Sequence, residues 1–150
     1  MAADALAAAR SLARQLLIVN VDKAEELEGA FSTLAAGHAD ALLIASAPFF
    51  DIVEVTDRLA AMTLRNKLPA IYQYRAFAAA CGLMSFGANQ SEAFRQAGIY
   101  TGRILKGEKP SDLPFQQSTK LELTINLKAA KTLGLTIPQS LIVAADEVIE

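Results

Sequence analysis

GLMSFGANQSEAFRQAGIYTGRILKGEKPSDLP, residues 82–114, reads as a short strand, a polar turn, a long amphipathic helix and a Pro/Gly stop. Asn89 or Ser91 can cap the helix, with Glu92 in its first turn, where the helix dipole favours a carboxylate. Phe94, Gly98, Thr101, Gly102 and Leu105 recur at steps of three and four, so they share one face. The small residues on that face would let another backbone approach closely. Gly107 and Pro110 end the helix.

Upstream the chain alternates. Ala2 to about Gln15 is rich in Ala, Leu and Arg without a breaker, which predicts a helix. Leu16–Val21 is an apolar, partly β-branched run, and such runs suit a strand buried on both faces. Asp22 is placed to cap a helix ending at Gly37, with Ala24, Leu27, Phe31 and Leu34 on its apolar face. Ala41–Ser46 predicts a second strand, and Ala47-Pro48 a turn into a helix over Phe50–Asn66. Ala70–Tyr74, a short helix at Ala76–Ala80 and the strand Leu83–Phe86 follow. This β-α-β-α-β-α-β order with short connections predicts an α/β fold: a parallel sheet with helices on both faces.

Downstream of Pro110 comes an extended linker, Ser111–Ser118. Leu121–Leu127 then alternates enough for a strand, Lys128–Leu133 for a short helix ended by Gly134, and Pro138 starts a last helical segment reaching Ile149.

The bulk numbers bound the function. With 150 residues and 53% hydrophobic content the chain can build one core, and a net charge of −2 gives no electrostatic case for nucleic acid or acidic membranes. No apolar run reaches the roughly 18 residues a membrane span needs. Asp4, Arg10 and Arg14 interrupt the N-terminal apolar segment, so no signal peptide is expected in the chain as given. The single cysteine, Cys81, excludes an intrachain disulfide and reads as a buried structural thiol.

Catalysis finds little support. His38, the one histidine, follows Gly37 at a helix end and reads as a capping or solvated residue. There is no nucleophile elbow, phosphate loop or dinucleotide fingerprint, and no Cys/His set for zinc. No enzyme activity, metal or cofactor is therefore expected. In an open parallel sheet, ligands bind at the carboxyl ends of the strands. That rule selects Ser46, the turn Tyr74-Arg75-Ala76-Phe77, and Ser85. Arg75 could pair with a carboxylate, and Tyr74 or Phe77 could stack on an apolar body. The competing reading is that Tyr74 and Phe77 pack and Arg75 is a solvated cation.

The run from Pro69 to Glu150, with the order GLMS-F-G, AGIYTGRILKGEKPSDLP, then LGLTIP, resembles the C-terminal half of ABC-transporter substrate-binding proteins of the tryptophan/tyrosine uptake type. The likeness extends back to about Leu16. It implies one lobe of a type I periplasmic binding-protein fold, truncated here, and a small amino-acid-like ligand, aromatic ones among the candidates, held between two lobes. It also implies an ABC transporter permease as partner and a periplasmic location. Residues 1–90 would form the C-terminal lobe, lacking its first strand. Residues 91–150 would supply the hinge-crossing helix and elements of the missing first lobe. Ser46, Tyr74, Arg75 and Ser85 would face the cleft. Ala47 stands where relatives commonly carry Asp, which removes one polar contact.

Half a cleft predicts weak or no binding by this chain alone. The missing strand would leave the Leu16–Val21 and Ala41–Ser46 strands to pair directly or leave a gap. Leu121–Leu127 would be an orphan, and strand or helix exchange would give a homodimer. The alternative function is the effector-binding domain of a transcription regulator of the same fold.

Overall fold

The computed structural model describes residues 2–115 and 121–150. Five strands form one mixed sheet in the order β1 (Leu42–Leu43), β2 (Ala70–Tyr72), β3 (Met84–Ala88), β4 (Leu121–Asn126), β5 (Glu147–Ile149). β1, β2 and β3 run parallel, as the alternating pattern predicts. β4 enters antiparallel to β3, with Ser85 opposite Thr124 and Gly87 opposite Glu122, and β5 then lies parallel to β4. Part of the linker Ser111–Ser118 falls outside the described residues.

Among the described residues seven α-helices connect and flank these strands: α1 (Ala2–Ser11), α2 (Leu27–Ala36), α3 (Val53–Arg65), α4 (Arg75–Ala79), α5 (Gln90–Leu105), α6 (Leu127–Leu133) and α7 (Gln139–Ala144). Leu27, Phe31 and Leu34 from α2 meet Val55, Leu59, Ala60 and Met62 from α3 over Ile44, Ala70, Tyr72 and Phe77. These are the three- and four-residue steps of two amphipathic helices closing on the alternate residues Ala70 and Tyr72 of β2, with Ile44 and Phe77 beside them.

Several local expectations hold for local reasons. Asn89 caps α5, its side-chain oxygen accepting the Glu92 N–H at 2.9 Å. Gly134 ends α6 in the left-handed region at φ 73°. His38 sits exposed at φ 53° just past α2.

Others are corrected. Asp22 makes no side-chain cap; its own N–H donates to the Glu26 carboxylate at 3.0 Å, ahead of a 3-10 turn at Ala24–Glu26. Cys81 is exposed, in the turn after α4 with φ 74°, and is not a core thiol. The final segment is not one helix: after α7 the chain extends into β5, where the Asp146 N–H donates to the Leu123 carbonyl at 2.9 Å.

Leu16–Val21 forms no strand. A strand requires a neighbour for its N–H and C=O groups, and β1 pairs only with β2 among the described residues. Val19 and Val21 still pack against the core, while Leu16, Leu17 and Ile18 remain 38–46% exposed. The direct pairing of Leu16–Val21 with the Ala41–Ser46 segment does not occur among the described residues.

Leu121–Asn126 is not an orphan. Within this chain β4 is hydrogen-bonded on both edges, to β3 and to β5. Asn126 anchors the arrangement. Its backbone N–H donates to the Leu83 carbonyl at 2.9 Å, its side-chain nitrogen to the Ala78 carbonyl at 2.8 Å, and its side-chain oxygen accepts from the Ala129 N–H at 2.9 Å. One buried side chain thus ties α4 to β4 and caps α6.

Candidate functional site

The carboxyl ends of β2 and β3 open onto a cleft of about 230 Å³. The antiparallel register of β3 and β4 builds its floor. Because side chains alternate along a strand, Ser85, Gly87, Glu122 and Thr124 fall on one face. Ser85 and Thr124 are buried opposite each other, 2% and 3% exposed. Gly87 has no room for a side chain: a Cβ there would lie 2.2 Å from the Gln73 carbonyl oxygen. The turn Gln73–Ala76 therefore crosses directly over β3 and forms one wall, and the start of α5, Asn89 to Ser91, forms another.

Two polar pairs stand at the cleft among the described residues. Asn89 has both ends of its amide engaged, the oxygen capping α5 and the nitrogen donating to Glu122 Oε2 at 2.7 Å. Arg75 grips Glu147 with both arms, Nε to Oε2 at 2.5 Å and a terminal nitrogen to Oε1 at 2.6 Å. That bidentate contact holds the Glu147 carboxyl below its ordinary range and raises Arg75 further above its own.

Behind the turn, Tyr74 meets Tyr72 edge-on at 5.8 Å, and the Tyr72 hydroxyl donates to Asp51 Oδ1 at 2.5 Å. Burial first, then the Asp51 hydrogen bond, pushes the Tyr72 hydroxyl pKa well up, so it stays a neutral donor. Gln73 acts in the opposite direction on Tyr72. Its amide nitrogen is buried with no hydrogen-bond partner among the described residues.

Of the residues selected from sequence, Tyr74, Arg75 and Ser85 line this cleft together. Ser46 does not; it is exposed past the end of β1. Phe77 has no exposed surface and packs edge-on against Tyr72, so it is a core residue with no face left to stack on a ligand. Arg75 lines the cleft with its Nε and one terminal nitrogen on Glu147, and its side chain is 58% exposed. Gln73, Asn89, Glu122 and Thr124 were not anticipated. The two-residue spacing of Glu122 and Thr124 signals a shared strand face, but the strand was assigned to a different sheet.

No described helix is long and apolar enough to cross a membrane, and no group of three or more His, Cys, Asp or Glu is placed to hold a metal ion among the described residues.

An α/β lobe with a polar cleft at the carboxyl ends of its parallel strands has the architecture of a periplasmic binding-protein lobe. The family model for ABC transporter substrate binding protein matches residues 6–149, and the chain belongs to that family. Solved structures agree on the fold. A conserved domain protein from Vibrio cholerae O1 biovar El Tor superposes with a TM-score of 0.81 at 20% identity, over 95% of this chain and 47% of its own. An ABC domain from Streptococcus pneumoniae in complex with L-Trp gives 0.80 at 24% identity, over 95% and 48%. A ligand-free, open substrate binding protein with adhesive properties from Clostridium difficile gives 0.62 at 20%, over 99% and 48%. The chain thus spans about half the length of these structures. No match was found among curated proteins.

Proposed function

We propose that this protein is a solute-binding component of an ABC transporter. It would hold an amino-acid-like molecule between two lobes, one wall of which is the cleft over β3 and β4. The observation that carries this reading is a preformed polar cleft at the carboxyl ends of β2 and β3, in a chain of the substrate-binding family. The L-Trp complex among the fold neighbours supports an aromatic amino acid as the first solute to try. Closure of the lobes over the solute would be read by the permease on the periplasmic side. Neither comparison favours the regulator alternative.

One wall buries only part of a ligand, whereas small-molecule sites usually bury most of its surface. This chain alone is therefore expected to bind aromatic amino acids with dissociation constants of about 1 mM, roughly −4 kcal/mol. Ligand at that concentration stabilises the fold by only about 0.4 kcal/mol. Titration of a ¹⁵N-labelled sample should move amides in Gln73–Ala76 and Ser85–Ser91 with little change in melting temperature. Silence of these amides across a panel of aromatic and branched amino acids would count against the function. A clear thermal shift at micromolar ligand would overturn the half-cleft argument.

α5 is assigned to the contact with the other lobe. None of its residues is buried, and Phe94 and Leu105 are 74% and 82% exposed. Replacing Phe94 by Asp should change the stability of this chain by no more than about 0.5 kcal/mol in urea unfolding, because nothing covers the ring. A loss of about 2 kcal/mol or more would show that α5 is packed within this chain after all.

A further inference from the structure

Resting on the solute-binding reading above, we propose that the hydroxyl pair Ser85 and Thr124, on the floor of the cleft, is the receptor for the carboxyl end of the solute. The two residues are 2% and 3% exposed and stand directly opposite each other in the β3–β4 ladder. Opposite residues of an antiparallel pair have Cβ atoms about 4.5–5.5 Å apart, so one carboxyl group can reach both hydroxyls. Neither hydroxyl makes a hydrogen bond to another described residue. Among the described residues the sealed and unpaired side-chain polar atom is the Gln73 amide nitrogen, so the two hydroxyls keep their remaining surface at the opening. Asn126, two residues along β4, is a contrast: both ends of its amide are bonded, to the Ala78 carbonyl and the Ala129 N–H. Buried polar groups are ordinarily paired. Asn126 is paired within the fold, whereas Ser85 and Thr124 are left for a group that enters the cleft.

A hydroxyl can donate or accept, so the pair alone does not choose its ligand. The groups around it do. α5 is 16 residues long, and Asn89 takes up the Glu92 N–H with its side chain and the Ala93 N–H with its carbonyl. The N–H groups of Gln90 and Ser91 are left without a partner inside the helix, and both residues line the cleft. Arg75 lines it too, with only two of its five guanidinium N–H donors on Glu147. Glu122 is the one carboxylate among the described lining residues, and it is engaged by Asn89 and by a further interaction. A carboxyl oxygen is therefore served by the hydroxyls and by the donor-only groups together. An ammonium finds acceptors only in the hydroxyls and in a Glu122 that already has partners.

The test uses three probes of one ring system: L-tryptophan, L-tryptophanamide and tryptamine. The amide and tryptamine carry the same single positive charge, and the amide alone of the two keeps an acceptor oxygen. Each is titrated into the ¹⁵N-labelled chain and into the double substitution Ser85→Ala and Thr124→Val, which removes both hydroxyls and nearly keeps the side-chain shapes. Tryptophan and tryptophanamide should move the Gln73–Ala76 and Ser85–Ser91 amides at concentrations about fivefold lower than tryptamine does. The double substitution should weaken the first two about fivefold and leave tryptamine unchanged. Its melting temperature should equal or exceed that of the unaltered chain, because replacing unpaired buried hydroxyls by apolar groups of the same shape is neutral or stabilising. Comparison of the three probes on the unaltered chain needs no variant, so a folding defect does not blunt it. Tryptamine binding as tightly as tryptophanamide, or the double substitution keeping the contrast between them, overturns the hydroxyl pair as receptor while leaving the cleft as the solute site. A melting temperature lowered by several degrees overturns it too, since the hydroxyls would then be satisfied within the fold. No perturbation by any of the three probes overturns both readings.

Discussion

Phe77→Ala is expected to cost about 3–5 kcal/mol, in the range for deleting a fully buried aromatic side chain. A domain of this size has only about 5–15 kcal/mol in total, so the loss is a large share of the margin. Three features keep the site from collapsing to fill the hole. The ring has 0% exposure and sits edge-on to Tyr72, with centroids 6.0 Å apart. Its other side lies against the Gly82 backbone, where an added Cβ would come within 2.3 Å of the ring. Its own carbonyl accepts the Gly82 N–H at 2.8 Å, so the backbone on both sides is tied. Urea unfolding followed by circular dichroism measures the loss. A cost under about 1 kcal/mol would mean that Phe77 is not the core residue described above. Phe77 also supports the Gln73–Ala76 wall through Tyr72, so a surviving folded fraction should show weakened ligand shifts there.

Gly87→Ala tests the cleft itself. The new methyl would lie 2.2 Å from the Gln73 carbonyl oxygen, 3.0 Å from its carbon and 3.2 Å from its Cα. All three are backbone atoms, which cannot rotate aside as a side chain could. Either β3 or the Gln73–Ala76 turn must move. Overpacking of this kind costs typically about 1–3 kcal/mol, and here it also lifts the wall of the cleft. The expected outcome is a destabilised chain whose remaining cleft no longer shows tryptophan-induced amide shifts. Gly98→Ala on α5 is the control: nothing lies within 4 Å of its Cβ, and a helical Gly-to-Ala change should stabilise by up to about 1 kcal/mol. Equal effects at the two positions would contradict the crossing of residue 73 over Gly87.

The elements themselves were largely legible in the residues. Helices α2 and α5 lie where three- and four-residue apolar spacing puts them, and β2 and β3 lie within about two residues of their expected bounds. Strand β5 was not: Glu147–Ile149 is three residues long and follows a helix, so no periodicity of its own distinguishes it. Leu16–Val21 has the composition of a strand and is none, because composition cannot supply a neighbour. The site was half legible. Tyr74, Arg75 and Ser85 follow from the rule that ligands sit at strand carboxyl ends. Ser46 does not join them: β1 ends at Leu43, three positions before it, and Ser46 is not among the residues lining the cleft.

What the sequence by itself determined is everything decided within one helical turn. Asn89 caps α5 through a residue three positions on, Gly134 ends α6 by its own backbone freedom, and Pro110 stops the chain after Gly107. What only the tertiary structure decided is every contact between residues far apart in the chain. β4 returns to lie antiparallel to β3, Glu147 reaches Arg75 across 72 positions, and Glu122 reaches Asn89 across 33. Caps need only a donor and an acceptor held close by the covalent chain. Strand ladders and ion pairs need two distant segments to be brought together first, and that depends on how all the other apolar faces close.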